Sequence, residues 1–243
     1  MPLREQLEEQ WQLTLKQSPD LALAFDALMS GLGASNLAAA SLKTGDPMPE
    51  IELPNAEGSF VAARDCIARG PLVLNFFRGG WCPYCSIELA ALQAALPQIE
   101  RLGASVLAVT PDTGAALDRV KRRLDLGFEV LSDVDNGVGL LFGIIFRVPQ
   151  TVRDIYLKHD IDLGANHGNR GDSWLLPMPA TYIVDRRGVI RHAAVELDFR
   201  RRMEPSDIIA ALRALADEQG SGDGKLGGEV AGPRQLDEGI ERR

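Results

Sequence analysis

The stretch Val73-Leu74-Asn75-Phe76-Phe77-Arg78-Gly79-Gly80-Trp81-Cys82-Pro83-Tyr84-Cys85 decides the fold. Its apolar start reads as a strand over 72–77, its glycines turn the chain, and the cysteine pair opens a helix read over 83–102. Residues three apart in a first helical turn have β-carbons about 5 to 6 Å apart. After local adjustment that distance allows a disulfide. The unpaired N–H groups and positive end of the helix favour a thiolate, so the accessible sulfur is expected to have a lowered pKa. Pro83 suits the first turn, which does not use the missing N–H, and its fixed φ stiffens it. Cys82 lies nearest the unpaired N–H groups and Cys85 one turn further in, so local physics makes Cys82 the expected nucleophile and Cys85 its resolving partner.

Working outward, Leu3, Leu7, Trp11 and Leu15 put an apolar stripe on a first helix, and Ser18 is expected to cap a second that carries Leu21, Phe25, Leu28 and Leu32 and ends at Gly31 and Gly33. Residues 1–40 thus read as a helical extension built on a hairpin that must pack on something else. A thiol-bearing domain is expected over 41–218. It begins near Gly45-Asp46-Pro47 with a β-hairpin at 51–53 and 58–61. Strands at 72–77, 105–110 and 128–132 alternate with helices at 83–102, 113–125 and 136–143, the pattern of an α/β fold with helices on the faces of a parallel sheet. Pro97 lies inside the first of these helices, where a kink is expected. Thr181–Val184 and Val189–Ala193 flank the turn Asp185-Arg186-Arg187-Gly188 as a closing hairpin, and a last helix at 205–218 carries Ile208, Ile209, Leu212 and Leu215. An insertion at 145–178 reads as a surface excursion with one helix, expected to close over the cysteine pair and bring Trp174 near it. Residues 219–243, rich in glycine and charge, are expected to be disordered.

With 243 residues and 45% hydrophobic content the chain can build one ordinary core. A net charge of −8 and a pI near 5.0 argue against nucleic acid and anionic lipid as partners. The N-terminus has no secretory pattern, and no stretch approaches the roughly 20 apolar residues of a membrane span. The expected compartment is the cytosol, where a close cysteine pair more often does redox or metal chemistry than stapling. Three alternatives to a redox pair stand beside it. A zinc site would need Cys66, His159, His167 or His192 as further ligands, none in knuckle spacing. A fortuitous pair of buried thiols and a structural disulfide are the others. Cys66 reads as a small packed hydrophobe, with a second resolving thiol as its alternative. Arg170-Gly171-Asp172 reads as a chance tripeptide, Arg200-Arg201-Arg202 as a solvated patch, and His159 and His167 as solvated loop residues. Phosphate-loop and dinucleotide fingerprints are absent from the sequence.

Gly45-Asp46-Pro47-Met48-Pro49-Glu50-Ile51-Glu52-Leu53-Pro54, the 73–85 stretch, Leu131-Ser132-Asp133 and Pro179-Ala180-Thr181-Tyr182-Ile183-Val184-Asp185 together resemble the peroxiredoxin-like branch of the alkyl hydroperoxide reductase and thiol-specific antioxidant family. The resemblance covers roughly residues 40–216, and the helical N-terminus is similar too. It implies a thioredoxin-like α/β fold, with a central mixed sheet flanked by helices. It further implies reduction of hydrogen peroxide or organic hydroperoxides through the Cys82/Cys85 dithiol, regenerated by thioredoxin or another dithiol donor. No cofactor or metal is implied, and a homodimer is compatible with it. The sequence departs from the main family pattern, whose proline, threonine and peroxide-attacking cysteine align with Arg78, Cys82 and Cys85, so the alignment makes Cys85 the attacking sulfur where local physics chooses Cys82. The family arginine before the Ala-Thr strand is replaced by Pro179, which resembles the cis-proline facing the cysteine pair of thioredoxins and would free a backbone edge for a peptide partner, with an ordinary trans-proline at the start of a strand as the alternative. Without the threonine and arginine, backbone N–H groups of the turn at Gly79 to Cys82 and the Arg78 guanidinium are left to activate a peroxide, with Trp81 and Pro83 in support. A thiol-disulfide oxidoreductase of thioredoxin or glutaredoxin type is the second expectation, and a thioredoxin-fold binding module the third.

Overall fold

The computed structural model describes residues 1–167 and 174–223. Its N-terminus is the expected hairpin, α1 (Leu3–Gln17) and α2 (Pro19–Gly33), followed by a short α3 (Leu37–Ala40). Two details differ from expectation. A strict four-residue spacing drifts about 40° per step on a helix of 3.6 residues per turn. The stripe has therefore rotated away by Leu15, which is 40% exposed, and Thr14 takes the buried place. Ser18 stands at the start of α2, but its hydroxyl makes no capping bond. The Leu21 N–H that a cap would receive is bound instead by the Asp20 carboxylate at 2.9 Å. At its own start α1 is capped from far along the chain, the Leu3 and Arg4 N–H groups donating to Glu204 at 3.0 and 2.8 Å.

The leading hairpin pairs β1 (Glu52–Pro54) with β2 (Phe60–Ala62). A helix not read from the sequence, α4 (Ala63–Arg69), follows and turns Cys66 inward. The alternation then proceeds as expected through β3 (Leu72–Phe76), α5 (Pro83–Arg101), β4 (Ser105–Thr110), α6 (Gly114–Arg123) and β5 (Glu129–Ser132), with β3, β4 and β5 mutually parallel. Helix α5 runs through Pro97 without ending. The helix expected at 136–143 is shorter. Asp135 and Asn136 adopt left-handed backbone (φ 61° and 60°), so a single 3-10 turn precedes α7 (Gly137–Leu141).

The insertion holds more structure than the single expected helix. It leaves through β6 (Ile145–Arg147), forms α8 (Gln150–Lys158) and α9 (Leu163–His167), and returns through β7 (Leu175–Pro177), which pairs antiparallel with β6. Pairing its ends gives the excursion a closed neck. The chain then enters β8 (Ala180–Val184) and β9 (Ile190–Val195), both antiparallel neighbours, to complete a mixed five-stranded sheet of order β5-β4-β3-β8-β9. Pro179 corrects an expectation, because all peptide bonds among the described residues are trans. Its carbonyl accepts the Glu196 N–H at 3.0 Å, so the chain passes into β8 with this edge already paired, and no backbone edge stands free there. The last helix, α10 (Pro205–Asp223), buries Ile208, Ile209, Leu212 and Leu215. It outruns the expected end at 218, so the start of the tail expected to be disordered is helical; residues 224–243 and Arg170-Gly171-Asp172 lie outside the described residues.

Strand β3 is buried at every position, as expected for the middle of a sheet covered on both faces. Helix α1 packs on α5 and α2 on α8, and their buried residues join the main core. If the hairpin is one cooperative unit with the sheet, Leu7→Ala should cost about 2 to 5 kcal/mol, the range for truncating a buried leucine. Urea unfolding checks this, and a loss under about 1 kcal/mol with the main transition unmoved would make the hairpin an appendage.

Candidate active site

The β3–α5 turn brings the expected residues together. Cys82 is extended (φ −86°, ψ 117°) at the position before α5, and its N–H closes the turn onto the Gly79 carbonyl at 3.1 Å. Pro83 is the first helical residue and Cys85 faces inward from the first turn. The expectation of one accessible sulfur is not met, since Cys82 is 1% and Cys85 0% exposed. What covers them is assembled from four parts of the chain.

Arg78 is the centre of that cover. Its side chain is buried, with Nη1 4.0 Å from Cys82 Sγ and Nη2 donating to the Tyr156 hydroxyl. Its guanidinium carbon lies 4.2 Å from the ring centre of Phe199, 4.9 Å from Trp81, and 5.9 Å from both Phe25 and Tyr156. Phe25 comes from α2, Tyr156 from α8 and Phe199 from the segment after β9, so hairpin, insertion and C-terminal segment converge on one cation. Aromatic faces carry negative potential and attract a desolvated guanidinium by about 2 kcal/mol or more. The insertion thus covers the pair through Tyr156, and the Trp174 ring lies tilted behind Tyr156 with ring centres 6.4 Å apart. Thr14 of α1 shares a hydrogen bond of 3.2 Å with the Tyr84 hydroxyl, between the two cysteines in sequence.

Beneath Cys85 lies a second buried charge. Arg202 Nε donates to Glu88 Oε2 at 2.6 Å, both side chains 2% exposed, while Arg202 Nη2 reaches Cys85 Sγ at 3.7 Å and another of its nitrogens bonds the Phe199 carbonyl. Asn75 of β3 donates to Glu88 Oε1 at 3.0 Å and to Thr181 at 3.1 Å, which ties the pair to the sheet. Such a pair is far costlier to break than to keep, since either partner alone would be an uncompensated buried charge.

The two thiols are unequal in these fields. Burial alone would raise the Cys82 pKa, but hydrogen bonding to Cys85 and the charges of Arg78 and Arg202 overcome it and bring the thiol down to about 6. Cys85 is held well above the ordinary thiol range by burial, by its hydrogen bond to Cys82 and by the charge there. Burial likewise pushes Glu88 up to about 7 against the pull of Arg202.

Several sequence expectations need correction. Arg202 is not solvated, and Arg200 lies over the Trp11 ring at 4.2 Å with Asp198 and Asp26 as ion-pair partners. His159 pairs with Asp20 at 3.1 Å, bridging α8 to α2, and His167 is buried. Cys66 is packed on α4 with Arg69 at 3.6 Å. No group of three or more His, Cys, Asp or Glu that could hold a metal ion occurs among the described residues. Pro179 is buried and trans, and its carbonyl is bonded to the Glu196 N–H. Glu88, Tyr156, Phe199 and Arg202 were missed. Glu88 alone left a signal, a carboxylate three residues after Cys85 on a face that continues with Leu89 and Leu92.

Residues 44–193 match the family described as AhpC/TSA. Peroxiredoxin Bcp of Escherichia coli K12 is 30% identical over 103 residues, 42% of this chain and 65% of that protein. Peroxiredoxin Q, chloroplastic, of Oryza sativa subsp. japonica is 24% identical over 166 residues, 68% of this chain and 65% of that one. The chain therefore spans slightly under two thirds of these relatives. Among solved structures, peroxidoxin BcpB of Mycobacterium tuberculosis superposes with a TM-score of 0.55 at 20% identity, covering 72% of this chain and 98% of that one. The bacterioferritin comigratory protein of Xanthomonas campestris, described with alkyl peroxide reduction activity, gives 0.51 at 21% identity, covering 68% and 92%. At these identities the structural likeness shows the fold, which is thioredoxin-like.

The geometry makes a direct prediction for Arg78. Arg78→Met removes the cation and keeps an apolar chain among the rings, so the midpoint of thiolate absorbance at 240 nm should rise from about 6 by at least one unit. An unchanged midpoint would show that Arg78 does not set it.

Proposed function

The chain belongs to the AhpC/TSA family, whose model matches residues 44–193, well over half of it, and we propose that it is a thiol-dependent peroxidase acting through Cys82 and Cys85. The observation that carries this reading is the position of Cys82 at the head of α5 with the guanidinium of buried Arg78 4.0 Å from its sulfur, a cation that favours the thiolate and draws its pKa down to about 6. At neutral pH such a sulfur is a thiolate. It attacks one oxygen of a hydroperoxide, an S–O bond forms as the O–O bond breaks, and the departing oxygen leaves as water or an alcohol once protonated. Arg78 faces the negative charge that moves from sulfur to oxygen in that step. Cys85 then attacks the sulfenic sulfur, hydroxide leaves as water with the Cys85 proton, and a Cys82–Cys85 disulfide results. A dithiol donor such as thioredoxin returns two electrons and two protons.

The burial of both sulfurs favours a peroxide over a protein disulfide as oxidant, because a small molecule needs little opening of the cover. Trans, buried Pro179, its carbonyl bonded to the Glu196 N–H, weakens the support that the oxidoreductase alternative drew from this residue and leaves that alternative resting on the Cys-Pro-Tyr-Cys motif. A protein donor reaches the disulfide only after the cover of Phe25, Tyr156 and Phe199 moves. No helix among the described residues is long and apolar enough to cross a membrane, and we place the reaction in the cytosol. A second assignment of roles has its own support, since Arg202 approaches Cys85 at 3.7 Å and the family alignment puts the attacking cysteine there.

Cys82→Ser and Cys85→Ser should each abolish steady-state peroxide turnover, and Cys66→Ser should leave it nearly intact. Loss of turnover in a folded Cys66→Ser protein would make Cys66 a resolving thiol. One equivalent of peroxide followed by dimedone should label Cys82 in the Cys85→Ser protein. Rapid labelling of Cys85 in the Cys82→Ser protein, with none in the other, reverses the roles.

A further inference from the structure

Asp112 lies just beyond β4, buried, with its backbone fixed at both ends: its N–H donates to Thr110 Oγ1 at 3.3 Å and its carbonyl accepts from Ser132 Oγ at 2.8 Å. Its carboxylate reaches across to the thiol turn, where Oδ2 accepts the Gly80 N–H at 2.6 Å. The Gly80 carbonyl is held as well, by Arg123 Nη2 at 2.8 Å, and the same nitrogen donates to Ser86 on α5 at 2.8 Å. The approach requires glycine. A β-carbon on Gly79 (φ +147°) would lie 2.3 Å from Trp81 Nε1 and 2.8 Å from Asp112 Oδ1, and one on Gly80 would lie 2.9 Å from Val120 Cβ.

The other carboxylate oxygen, Oδ1, has no hydrogen-bond partner among the described residues and faces His167 Nε2 at 4.0 Å, both side chains 1% exposed. Among the described residues neither ring nitrogen of His167 has a hydrogen-bond partner, nor does Trp81 Nε1 beside them. The insertion delivers His167 to this point, because the Thr113 N–H donates to the Asn166 carbonyl at 3.1 Å. A buried carboxylate and a buried imidazole without hydrogen-bond partners among the described residues are each unfavourable; at 4.0 Å they are not hydrogen bonded, but a small approach would let one proton satisfy both.

We propose that Asp112 is a positioning residue for the thiol site: it fixes the Gly79–Gly80 turn that presents Cys82 and shares one proton with His167, which latches the insertion to that turn. The proposal rests on Cys82 as the attacking thiolate, and its experiment does not require turnover. The groups facing Asp112 are the Gly80 N–H, Cys85 on α5, Arg119 on α6, His167 on α9 and the Trp81 indole. Burial pushes Asp112 up to about 7, opposed by the Gly80 N–H. Burial pushes His167 down to about 4. Between those values the pair carries one proton and no net charge. As pH rises through about 7 the proton leaves, and a negative charge appears beside the thiols.

Nuclear magnetic resonance of the full reduced chain, with labelled histidine and glycine, tests both parts. The His167 ring signals should step near pH 7 as Asp112 ionises, and Asp112→Asn, which keeps an oxygen for the Gly80 N–H, should abolish the step. Gly80 amide exchange should be slow in the unmodified protein and in Asp112→Asn, and about tenfold or more faster in Asp112→Ala, the expected effect of losing one buried hydrogen bond. A flat His167 titration across pH 7 would overturn the shared proton, and a Gly80 amide equally protected in Asp112→Ala would overturn the positioning role. If Asp112→Ala does not fold, the unmodified and Asp112→Asn titrations decide alone. A failure of the peroxidase reading would show in turnover and leave both readouts unchanged.

Discussion

The guanidinium of Arg78, buried among four aromatic rings against Cys82, is the contact on which the rest of the site depends. A lone charge taken out of water is unfavourable by several kcal/mol after relaxation. Here the opposing contributions come from the ring faces, the Tyr156 hydroxyl and a thiolate at Cys82. Each ring belongs to a different stretch of chain. The hairpin, the insertion and the segment after β9 therefore have one reason to meet at the β3–α5 turn, and the cation they enclose is the one that stabilises the sulfur. Packing and reactivity share a single interaction.

A second consequence is the inequality of the two thiols. Helix position alone offers both sulfurs the same N-terminal N–H groups, one turn apart. Arg78 lies at Cys82, whereas the nearest cation to Cys85 is already engaged with Glu88. Because the sulfurs are hydrogen bonded to each other, only one carries the negative charge at a time, and each raises the cost of ionising the other. The arrangement makes Cys82 the more readily ionised of the two thiols.

The architecture was legible because its signals are local. Strand, glycine turn and Cys-Pro-Tyr-Cys fall within the single stretch 73–85, and the alternation after it needs only periodicity. Most of the cover was not legible, for a physical reason. Arg202 meets Cys85 across 117 positions of sequence, inside a run of three arginines whose usual place is solvent, and nothing in their spacing tells which one turns inward. His167 likewise reads as a loop histidine until α9 carries it beneath Asp112. Pro179 shows the opposite error. A residue type known for one backbone geometry was assigned it, but the Pro179 carbonyl is paired to Glu196 and the edge is closed. Leu15 failed on helical drift alone, which the sequence contained.

The field of buried Arg78 leaves Cys82, rather than Cys85, as the thiol that ionises first. Labelling the cysteine β-carbons with carbon-13 and following both signals against pH in the reduced, unmodified protein reads each sulfur separately. The Cys82 signal should titrate near pH 6 while the Cys85 signal stays in its thiol position through neutral pH. A Cys85 signal that titrates first, or a Cys82 midpoint in the ordinary thiol range, would contradict it.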